Sequence, residues 1–352
     1  MRPLVLSALT LLLVATVSCQ SDDPSATEDV FYVRHNGADM PAYVYGNASS
    51  NTFVILLHGG PGGSGLEYRF GQYSQQLEER YAMVYFDQRG QGMAQGQYSP
   101  EDITLDNMVD DVRALALTLK AKYGEDISLF LMGHSWGGTL GTAVVVKEDY
   151  QSLFKGWIEV DGAHDLPLTY AGGIRLFQQV GNDQVAAGNS PEFWEEILER
   201  VNGMSTNPAE ALDEDILYLN QKGFEAEGYL QDAGILYSGD TSNLGQLFAN
   251  ILVYNNLLTS FWSGSYTNQS LYDKGLEQYT ATPELGKVTI PTLLMWGRYD
   301  FVVNPEVGET ALQALGSADK ELVYFEGSGH SPMDSEPALF VNTVITFIER
   351  NR

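Results

Sequence analysis

Cysteine and positive charge are both scarce in this sequence. Its 352 residues include one cysteine, Cys19, and 19 Lys and Arg against 46 Asp and Glu, which gives a net charge of -27. A disulfide needs two cysteines, so none forms within the chain. Proteins that bind nucleic acid neutralise phosphates with a basic stripe, and anionic lipid attracts basic segments in the same way. The composition therefore argues against a nucleic-acid partner and against charge-driven adsorption to a membrane.

An apolar run at the N-terminus is too short to span a bilayer comfortably. Met1 and Arg2 precede apolar residues 4–17, and Cys19 follows, ahead of a polar stretch. This pattern predicts a lipoprotein-type signal peptide over 1–19 and a flexible tether over 20–29. The protein is then exported to the cell envelope, and a lipid on Cys19 is its contact with a bacterial membrane. An ordinary cleaved signal and an uncleaved anchor are the alternatives.

Two glycine-rich loops lack the residues that would make them nucleotide sites. The glycine-rich stretch 59–63 is not followed by Lys-Ser or Lys-Thr, so a phosphate-binding P-loop is excluded. Gly90 and Gly92 come near a dinucleotide fingerprint, but the third glycine, Gly96, stands one position too far along the chain. A proline, Pro100, also interrupts the place where the helix should start. Neither loop therefore predicts a nucleotide cofactor.

A serine turn is the strongest positive feature of the sequence. The stretch Gly133-His134-Ser135-Trp136-Gly137 follows an apolar run over 127–132 and precedes small, apolar residues, which predicts strand, sharp turn and helix. Such a turn projects the serine hydroxyl from the carboxyl edge of a sheet. Ser135 is therefore the candidate nucleophile. The N–H of Trp136, at the start of the helix, and that of Gly60, in the first glycine-rich loop, are the candidate donors to an oxyanion.

Strand and helix patterns alternate along most of the chain and stop alternating in one long segment. Apolar runs predict buried strands at 53–57, 82–86, 127–132, 156–160, 292–296 and 322–325, and β-rich runs predict an edge hairpin at 31–35 and 41–45. Helices are predicted at 66–80, 105–119, 178–187, 191–201, 208–221, 241–258, 305–315 and 337–351. The sequence thus predicts an α/β core over 30–164 and 281–352, with a mostly parallel sheet and helices on both faces. Residues 165–280 are predicted to form a helical cap inserted after the sixth main strand.

A serine hydroxyl needs a base, and the sequence offers five histidines. His330 follows the last main strand, on a loop that should open at the same sheet edge as Ser135, so it is the candidate base. Asp300 follows the preceding strand and is the candidate acid that orients the base, with Asp161 or Asp165 as alternatives. The other histidines are less well placed or are tied to glycine loops; they are His35, His58, His134 and His164.

Taken together, these motifs resemble those of the proline iminopeptidase family of α/β-hydrolases. The stretches that carry the resemblance are His58-Gly59-Gly60-Pro61-Gly62, Asp87-Gln88-Arg89-Gly90 and Gly133-His134-Ser135-Trp136-Gly137-Gly138. The resemblance implies the α/β-hydrolase fold, with Ser135, Asp300 and His330 as a triad and Gly60 and Trp136 at the oxyanion hole. It also implies removal of an N-terminal proline or other small residue from peptides. Such a site supplies its own nucleophile, so no cofactor and no metal are expected.

Glutamates of the cap bind the free amino group of the substrate in that family, which makes its members exopeptidases. No motif identifies them here, and each candidate is also compatible with a solvated helix face; the candidates are Glu192, Glu195, Glu196, Glu199, Glu225 and Glu227. The sequence therefore predicts a serine hydrolase that acts on small peptides through an acyl-enzyme. A small-acyl esterase or lactonase, and a noncatalytic surface lipoprotein that captures peptides, are the alternatives.

Overall fold

The computed structural model describes residues 26–240, 245 and 257–352. The predicted signal peptide with Cys19, the first part of the predicted tether and most of the predicted helix at 241–258 lie outside the described residues. Within the described ranges, no helix combines the length and the apolar character needed to cross a membrane.

The described residues form one mixed sheet. Its strands are β1 (Ala26–His35), β2 (Ala38–Asn47), β3 (Thr52–Leu57), β4 (Ala82–Phe86), β5 (Gln95–Gly96), β6 (Ser128–His134), β7 (Gly156–Val160), β8 (Thr292–Gly297) and β9 (Lys320–Phe325). Their order is β1-β2-β4-β3-β6-β7-β8-β9, with β5 paired to β2. Pairs that involve β2 are antiparallel, and the other pairs are parallel. The mostly parallel sheet predicted from the apolar runs is confirmed.

The N-terminal hairpin is longer than the sequence predicted. All of β1 pairs with β2, from Ala26 opposite Asn47 to His35 opposite Ala38. The strand thus begins inside the stretch predicted as a tether. Within it, the Asp29 carboxylate accepts a hydrogen bond from the hydroxyl of Tyr123 at 2.6 Å. Ladder pairing and this contact order residues whose polar composition alone indicated a flexible segment.

Helices cover both faces of the sheet. They are α1 (Gly71–Glu78), α2 (Leu105–Tyr123), α3 (Trp136–Val145), α4 (Glu148–Gln151), α5 (Leu166–Ala187), α6 (Pro191–Val201), α7 (Asp213–Asp232), α8 (Leu257–Tyr272), α9 (Pro305–Ala314), α10 (Pro332–Ser335) and α11 (Pro337–Asn351). Alternate residues of β3 contact opposite layers: Phe53, Ile55 and Leu57 pack with α2, α3 and α9, whereas Val54 and Leu56 pack with α1 and α11. Burial on both faces explains why this strand is apolar throughout.

Residues 66–80 do not form the single helix that the sequence predicted. A 3₁₀ turn spans Gly65–Tyr68, and α1 begins only at Gly71. Gly71, the first residue of α1, has a φ of 75°, a left-handed conformation that favours glycine and that interrupts the helical backbone at this point. The break sets the 3₁₀ turn apart from α1, next to the first glycine-rich loop.

The helices α5 to α8 lie between β7 and β8, the position predicted for the cap, since β7 is the sixth strand when the two-residue β5 is left aside. Three of them, α5 to α7, bury a core of their own, which includes Ile174, Phe177, Trp194 and Ile197. The first of these helices, α5, begins at Leu166, well before its predicted start. The side chain of Asp165 accepts a hydrogen bond from the N–H of Leu168 at 3.0 Å, which satisfies a donor at the free end of the helix.

Candidate active site

Ser135 lies in the sharp turn between β6 and α3, at the carboxyl edge of the sheet. Its φ of 56° and ψ of -120° fall in a region that residues with a side chain seldom occupy. The turn needs glycine on both sides, because a Cβ on Gly133 would overlap the carbonyl oxygen of Gly137, and a Cβ on Gly137 would overlap that of Leu57. The predicted strand, turn and helix are present. They hold the serine side chain at the sheet edge where the other parallel strands also end and their loops begin.

Three residues that follow different strands meet at this edge. The Nε2 atom of His330 lies 3.0 Å from the Oγ of Ser135, and its Nδ1 lies 2.8 Å from Oδ2 of Asp300. The other oxygen of Asp300 accepts hydrogen bonds from the N–H groups of Val302 and Val303, at 2.8 and 2.7 Å. The carboxylate is thus fixed by its own loop, and it fixes the imidazole with Nε2 toward the serine.

The alternative acids make other contacts. Asp161 is fully buried, and its Oδ1 accepts a hydrogen bond from the N–H of Gly297 at 2.9 Å. Asp165 caps α5 and accepts from two threonine hydroxyls. In the part of the chain that the structure describes, neither carboxyl bonds to His330. Burial, together with the neighbouring charge of Asp300, raises the pKa of Asp161 well above its usual range, which favours the uncharged form of this carboxyl group.

The environment of His330 favours its cationic form. Burial lowers the pKa of the imidazole, but Asp300, and to a smaller extent Glu227, raises it by more, so the net shift is upward. Such a ring takes a proton readily. An imidazole that accepts a proton from a serine hydroxyl gains the stabilisation that its carboxylate partner provides.

The first glycine-rich loop lies directly beside the serine. A Cβ added to Gly59 would sit 3.3 Å from the Cβ of Ser135. The N–H of Gly59 donates to the hydroxyl of Tyr68 at 2.9 Å, and the N–H of Gly62 donates to the side chain of Gln91. Gly60, the predicted oxyanion donor, lies between these two anchored residues. The loop therefore has a fixed path past the serine hydroxyl.

The loop after β4 ties the glycine-rich loop to α3. The amide of Gln88 donates to the carbonyl oxygen of His58 at 3.0 Å and accepts from the indole N–H of Trp136 at 2.7 Å. Gln91 donates to the carbonyl oxygen of the Gln88 side chain at 3.2 Å. These contacts connect the loop that contains Gly60 with Trp136, the two predicted oxyanion donors. The loop after β4, whose glycines came near a dinucleotide fingerprint, therefore has a structural role.

The remaining histidines make contacts away from Ser135. His35 bonds to Asp111 at 2.7 Å, and the buried His164 bonds to Glu159 at 2.6 Å. Burial lowers the pKa of His58 to about 4, with its Nδ1 against the Gly59 carbonyl. His134 differs from these because its Nδ1 contacts the hydroxyl of Tyr68 and its Nε2 contacts the carbonyl oxygen of His330, each at 2.6 Å.

A metal would have to displace hydrogen bonds from this site. His134, Asp161 and His330 bring potential ligand atoms within 4.8 Å of one another. Both ring nitrogens of His134 and both of His330 already have hydrogen-bond partners. The arrangement therefore suits a chain of hydrogen bonds between side chains better than it suits a cation.

Glu227 is the cap glutamate that reaches the site. Its Oε1 accepts a hydrogen bond from the backbone N–H of His330 at 2.9 Å, and a Cβ on Gly329 would overlap its carboxyl group. Burial and the charge of Asp300 raise the pKa of Glu227 to about 8, against a smaller opposing effect of His330. The ring of Phe224, one turn earlier on α7, lies nearly perpendicular to that of His330, with 6.0 Å between centroids. The other five glutamates named from the sequence are exposed.

The sequence of this chain also matches a known family. A profile of the alpha/beta hydrolase family matches residues 54–343, which is most of the chain. The chain belongs to the alpha/beta hydrolase family. The fold predicted from the sequence is thereby confirmed.

Individual relatives are distant but span nearly the whole chain. A probable aminopeptidase of Bacillus subtilis, YbaC, is 26% identical over 310 residues, covering 84% of this chain and 88% of its own length. A proline iminopeptidase of Saccharolobus solfataricus is 24% identical and covers 91% and 92%. Among solved structures, a proline iminopeptidase-related protein from Thermus thermophilus superposes with a TM-score of 0.57 at 22% identity, covering 92% of this chain and 98% of that one. The last comparison shows a shared fold.

Proposed function

We propose that this protein is a serine aminopeptidase that releases the first residue of small peptides. One observation carries the proposal: the hydrogen-bonded series Ser135, His330 and Asp300 lies next to a partly buried carboxyl group, that of Glu227. The series supplies a nucleophile with its base, and the carboxyl group supplies a partner for a substrate amine. The relatives named as aminopeptidase or proline iminopeptidase support the same assignment.

Acylation begins when His330 takes the proton of the Ser135 hydroxyl. The oxygen attacks the carbonyl carbon of the scissile amide, and the C–O bond forms as the carbonyl π electrons move to the oxygen. Asp300 stabilises the imidazolium that results. His330 then gives the proton to the amide nitrogen, the C–N bond breaks, and the shortened peptide leaves as an amine.

The oxyanion needs donors on the other side of the carbonyl. As the first residue of α3, Trp136 has no acceptor for its N–H within the helix, and this N–H also lies at the positive end of the helix dipole. The N–H of Gly60, in the anchored loop, is the second donor. Water then attacks the acyl-enzyme, with His330 as the base, and restores Ser135.

Glu227 gives the site its preference for a free N-terminus. A substrate ammonium next to this carboxyl group forms a charged hydrogen bond in a place shielded from water, where such bonds are strong. An ester or an N-acylated peptide gains nothing from the contact. The exposed glutamates on α6 and the exposed Glu225 have no such position.

The first experiment compares substrates on the full chain. Proline and alanine nitroanilides with free amines are expected to turn over, and their N-acetyl forms are not. Ser135→Ala should lose at least about 10⁴-fold in kcat. Turnover of a nitrophenyl ester without any turnover of the anilides would make the protein an esterase, and substantial turnover by Ser135→Ala would refute the nucleophile.

A pair of substitutions on α7 tests the recognition of the amine. Glu227→Gln should lower kcat/KM on the free-amine anilides by about 30-fold or more, since a lost charge pair costs about 2 kcal/mol, and should leave ester hydrolysis largely intact. Glu225→Gln, an exposed position on the same helix, is the matched control and should change neither. Equal losses in both variants would remove the role of Glu227.

We also propose that the protein is held at a cell membrane by a lipid on Cys19. The support is the order of a short basic start, an apolar run and a single cysteine before a polar stretch. Growth with a labelled lipid precursor should label the wild type and not Cys19→Ser. An unlabelled wild type would exclude the anchor without affecting the proposed reaction.

A further inference from the structure

A chain of hydrogen bonds joins the glycine-rich loop to the loop that carries the base. The hydroxyl of Tyr68, at the end of the 3₁₀ turn, lies 2.9 Å from the backbone nitrogen of Gly59 and 2.6 Å from Nδ1 of His134. The Nε2 of His134 lies 2.6 Å from the carbonyl oxygen of His330. His134 itself precedes Ser135 in the serine turn. Three loops that must be aligned for hydrolysis are thus connected through two side chains.

The ends of this chain fix the direction of every bond in it. A backbone N–H can only donate and a backbone carbonyl can only accept. Gly59 must therefore donate to the Tyr68 oxygen, and His134 must donate from Nε2 to the carbonyl of His330. That tautomer leaves Nδ1 as an acceptor, so the Tyr68 hydroxyl donates to it. Every donor and acceptor in this chain of hydrogen bonds is then paired while the side chains of Tyr68 and His134 are both uncharged.

We propose that Tyr68, acting through His134, is a positioning residue. It keeps the glycine-rich loop and the loop that carries His330 aligned with Ser135. The inference rests on the proposed function and extends it to two side chains that touch neither substrate nor the reacting atoms. Gly59 is next to Gly60, the proposed oxyanion donor, so a displacement of Gly59 also moves the N–H of Gly60. A shift of the His330 backbone likewise moves its Nε2 away from the serine oxygen.

The neutral state of His134 matters for the same step. The rings of His134 and His330 lie 4.8 Å apart between centroids. His330 becomes a cation when it takes the proton of Ser135, and a second cation at that distance would oppose the transfer. Burial and the proximity of His330 lower the pKa of His134 to about 3, and the hydroxyl of Tyr68, whose pKa burial raises, stays a donor. Tyr68 and His134, which form the chain of hydrogen bonds, therefore stay uncharged through the reaction.

The decisive variant is Tyr68→Phe, which keeps the ring and removes two hydrogen bonds. With a free-amine anilide, kcat should fall about 10-fold or more, since misplacing an oxyanion donor has effects of this size or larger, and KM should change less than about twofold because no substrate contact is lost. Labelling of Ser135 by a fluorophosphonate should slow by a similar factor. Tyr81→Phe is the control, since Tyr81 is a buried tyrosine whose hydroxyl bonds to the side chain of Glu349 on α11 and to none of the three loops.

A second pair of variants separates positioning from general stability. His134→Gln keeps one acceptor and one donor on the side chain and should retain most of the activity, whereas His134→Leu keeps neither and should fall like Tyr68→Phe. Melting temperatures are measured for all variants. Equal kcat in Tyr68→Phe and Tyr81→Phe, or equal kcat in His134→Gln and His134→Leu, overturns the inference. A wild type whose serine is neither labelled nor active defeats the proposed function itself, and the two failures are therefore distinct.

Discussion

Replacing Asp111 with Asn leaves the guanidinium of Arg89 buried without a counter-charge. Arg89 Nε and Nη2 donate to the two oxygens of Asp111 at 2.8 and 2.7 Å, and both side chains are almost completely shielded from solvent. The remaining donors of Arg89 reach the carbonyl oxygens of His35 and Asn36 in the N-terminal hairpin, each at 3.1 Å. The variant therefore weakens the contact between the loop after β4 and the edge of the sheet.

The expected loss follows from burial. Removing one partner of a buried pair costs about 3–5 kcal/mol, because the other charge stays desolvated. An unfolding entropy of about 2.1 cal/mol/K per residue converts this loss, for 352 residues, into a decrease in melting temperature of about 4–7 °C. Differential scanning calorimetry of Asp111→Asn measures it. The loop that contains Arg89 also anchors the glycine-rich loop, so activity should decline together with stability.

The N-terminal hairpin offers a matched control. Arg34 bonds to both oxygens of Asp39 at 2.6 and 3.0 Å, with the same fork geometry, but the Arg34 side chain is 81% exposed. Exposed pairs contribute little to stability, so Asp39→Asn should melt at the wild-type temperature. A decrease in Asp111→Asn no larger than that in Asp39→Asn would refute the reasoning that burial decides the effect.

The charges around His330 set three further outcomes. The kcat/KM for an anilide should rise with pH through a midpoint above the ordinary imidazole value of about 6.5, because burial lowers the pKa of His330 less than Asp300 and Glu227 together raise it and only the neutral ring accepts a proton. A midpoint below that value contradicts the assignment. The raised pKa of Asp161 favours its uncharged form, so Asp161→Asn should leave the midpoint unchanged, whereas a downward shift would mean that Asp161 is ionised. A free-amine peptide that binds to Ser135→Ala at pH 7 should release up to about one proton from Glu227, measured by calorimetry in buffers of different ionisation enthalpy. An acetylated peptide should release none, and equal release by both would contradict the role of Glu227.

Local patterns were enough to predict most of the architecture. The bounds of β4, β7, α6 and α11 are those predicted from apolar runs and periodicity. The two strands are buried along their whole length, and the two helices each bury one face, so the sequence pattern marks their ends. The order of Ser135, Asp300 and His330 along the chain, each after a parallel strand, also predicted that they would lie at one edge. Which of Asp300 and Asp161 bonds to His330 cannot be read from the local sequence, since both residues follow neighbouring strands. It depends on which carboxyl group the imidazole faces across the edge.

Two residues of the site required the tertiary structure. Glu227 was one of six candidates in the sequence, and what distinguishes it is that the face of α7 on which it lies meets the loop after β9. Tyr68 had no signal beyond its position shortly after the glycine-rich loop, and the sequence predicted a continuous helix there. The break before Gly71 turns its hydroxyl toward Gly59 and His134, and a helical pattern carries no information about such a contact.

Three carboxyl groups surround one imidazole, and their protonation decides whether that imidazole works as a base. Each ionised carboxyl group near His330 raises the pKa of the ring, so three charges together would keep it protonated and leave Ser135 without a base. The raised pKa values of Asp161 and Glu227 oppose this, because burial favours the uncharged form of both carboxyl groups. A substrate ammonium then supplies the positive charge that lets Glu227 ionise with no added net charge beside His330. A blocked N-terminus brings no such charge, Glu227 keeps its proton, and the ion pair never forms. In the proposed reaction, discrimination against blocked peptides is therefore a consequence of the charge balance at the site, before any steric fit is considered.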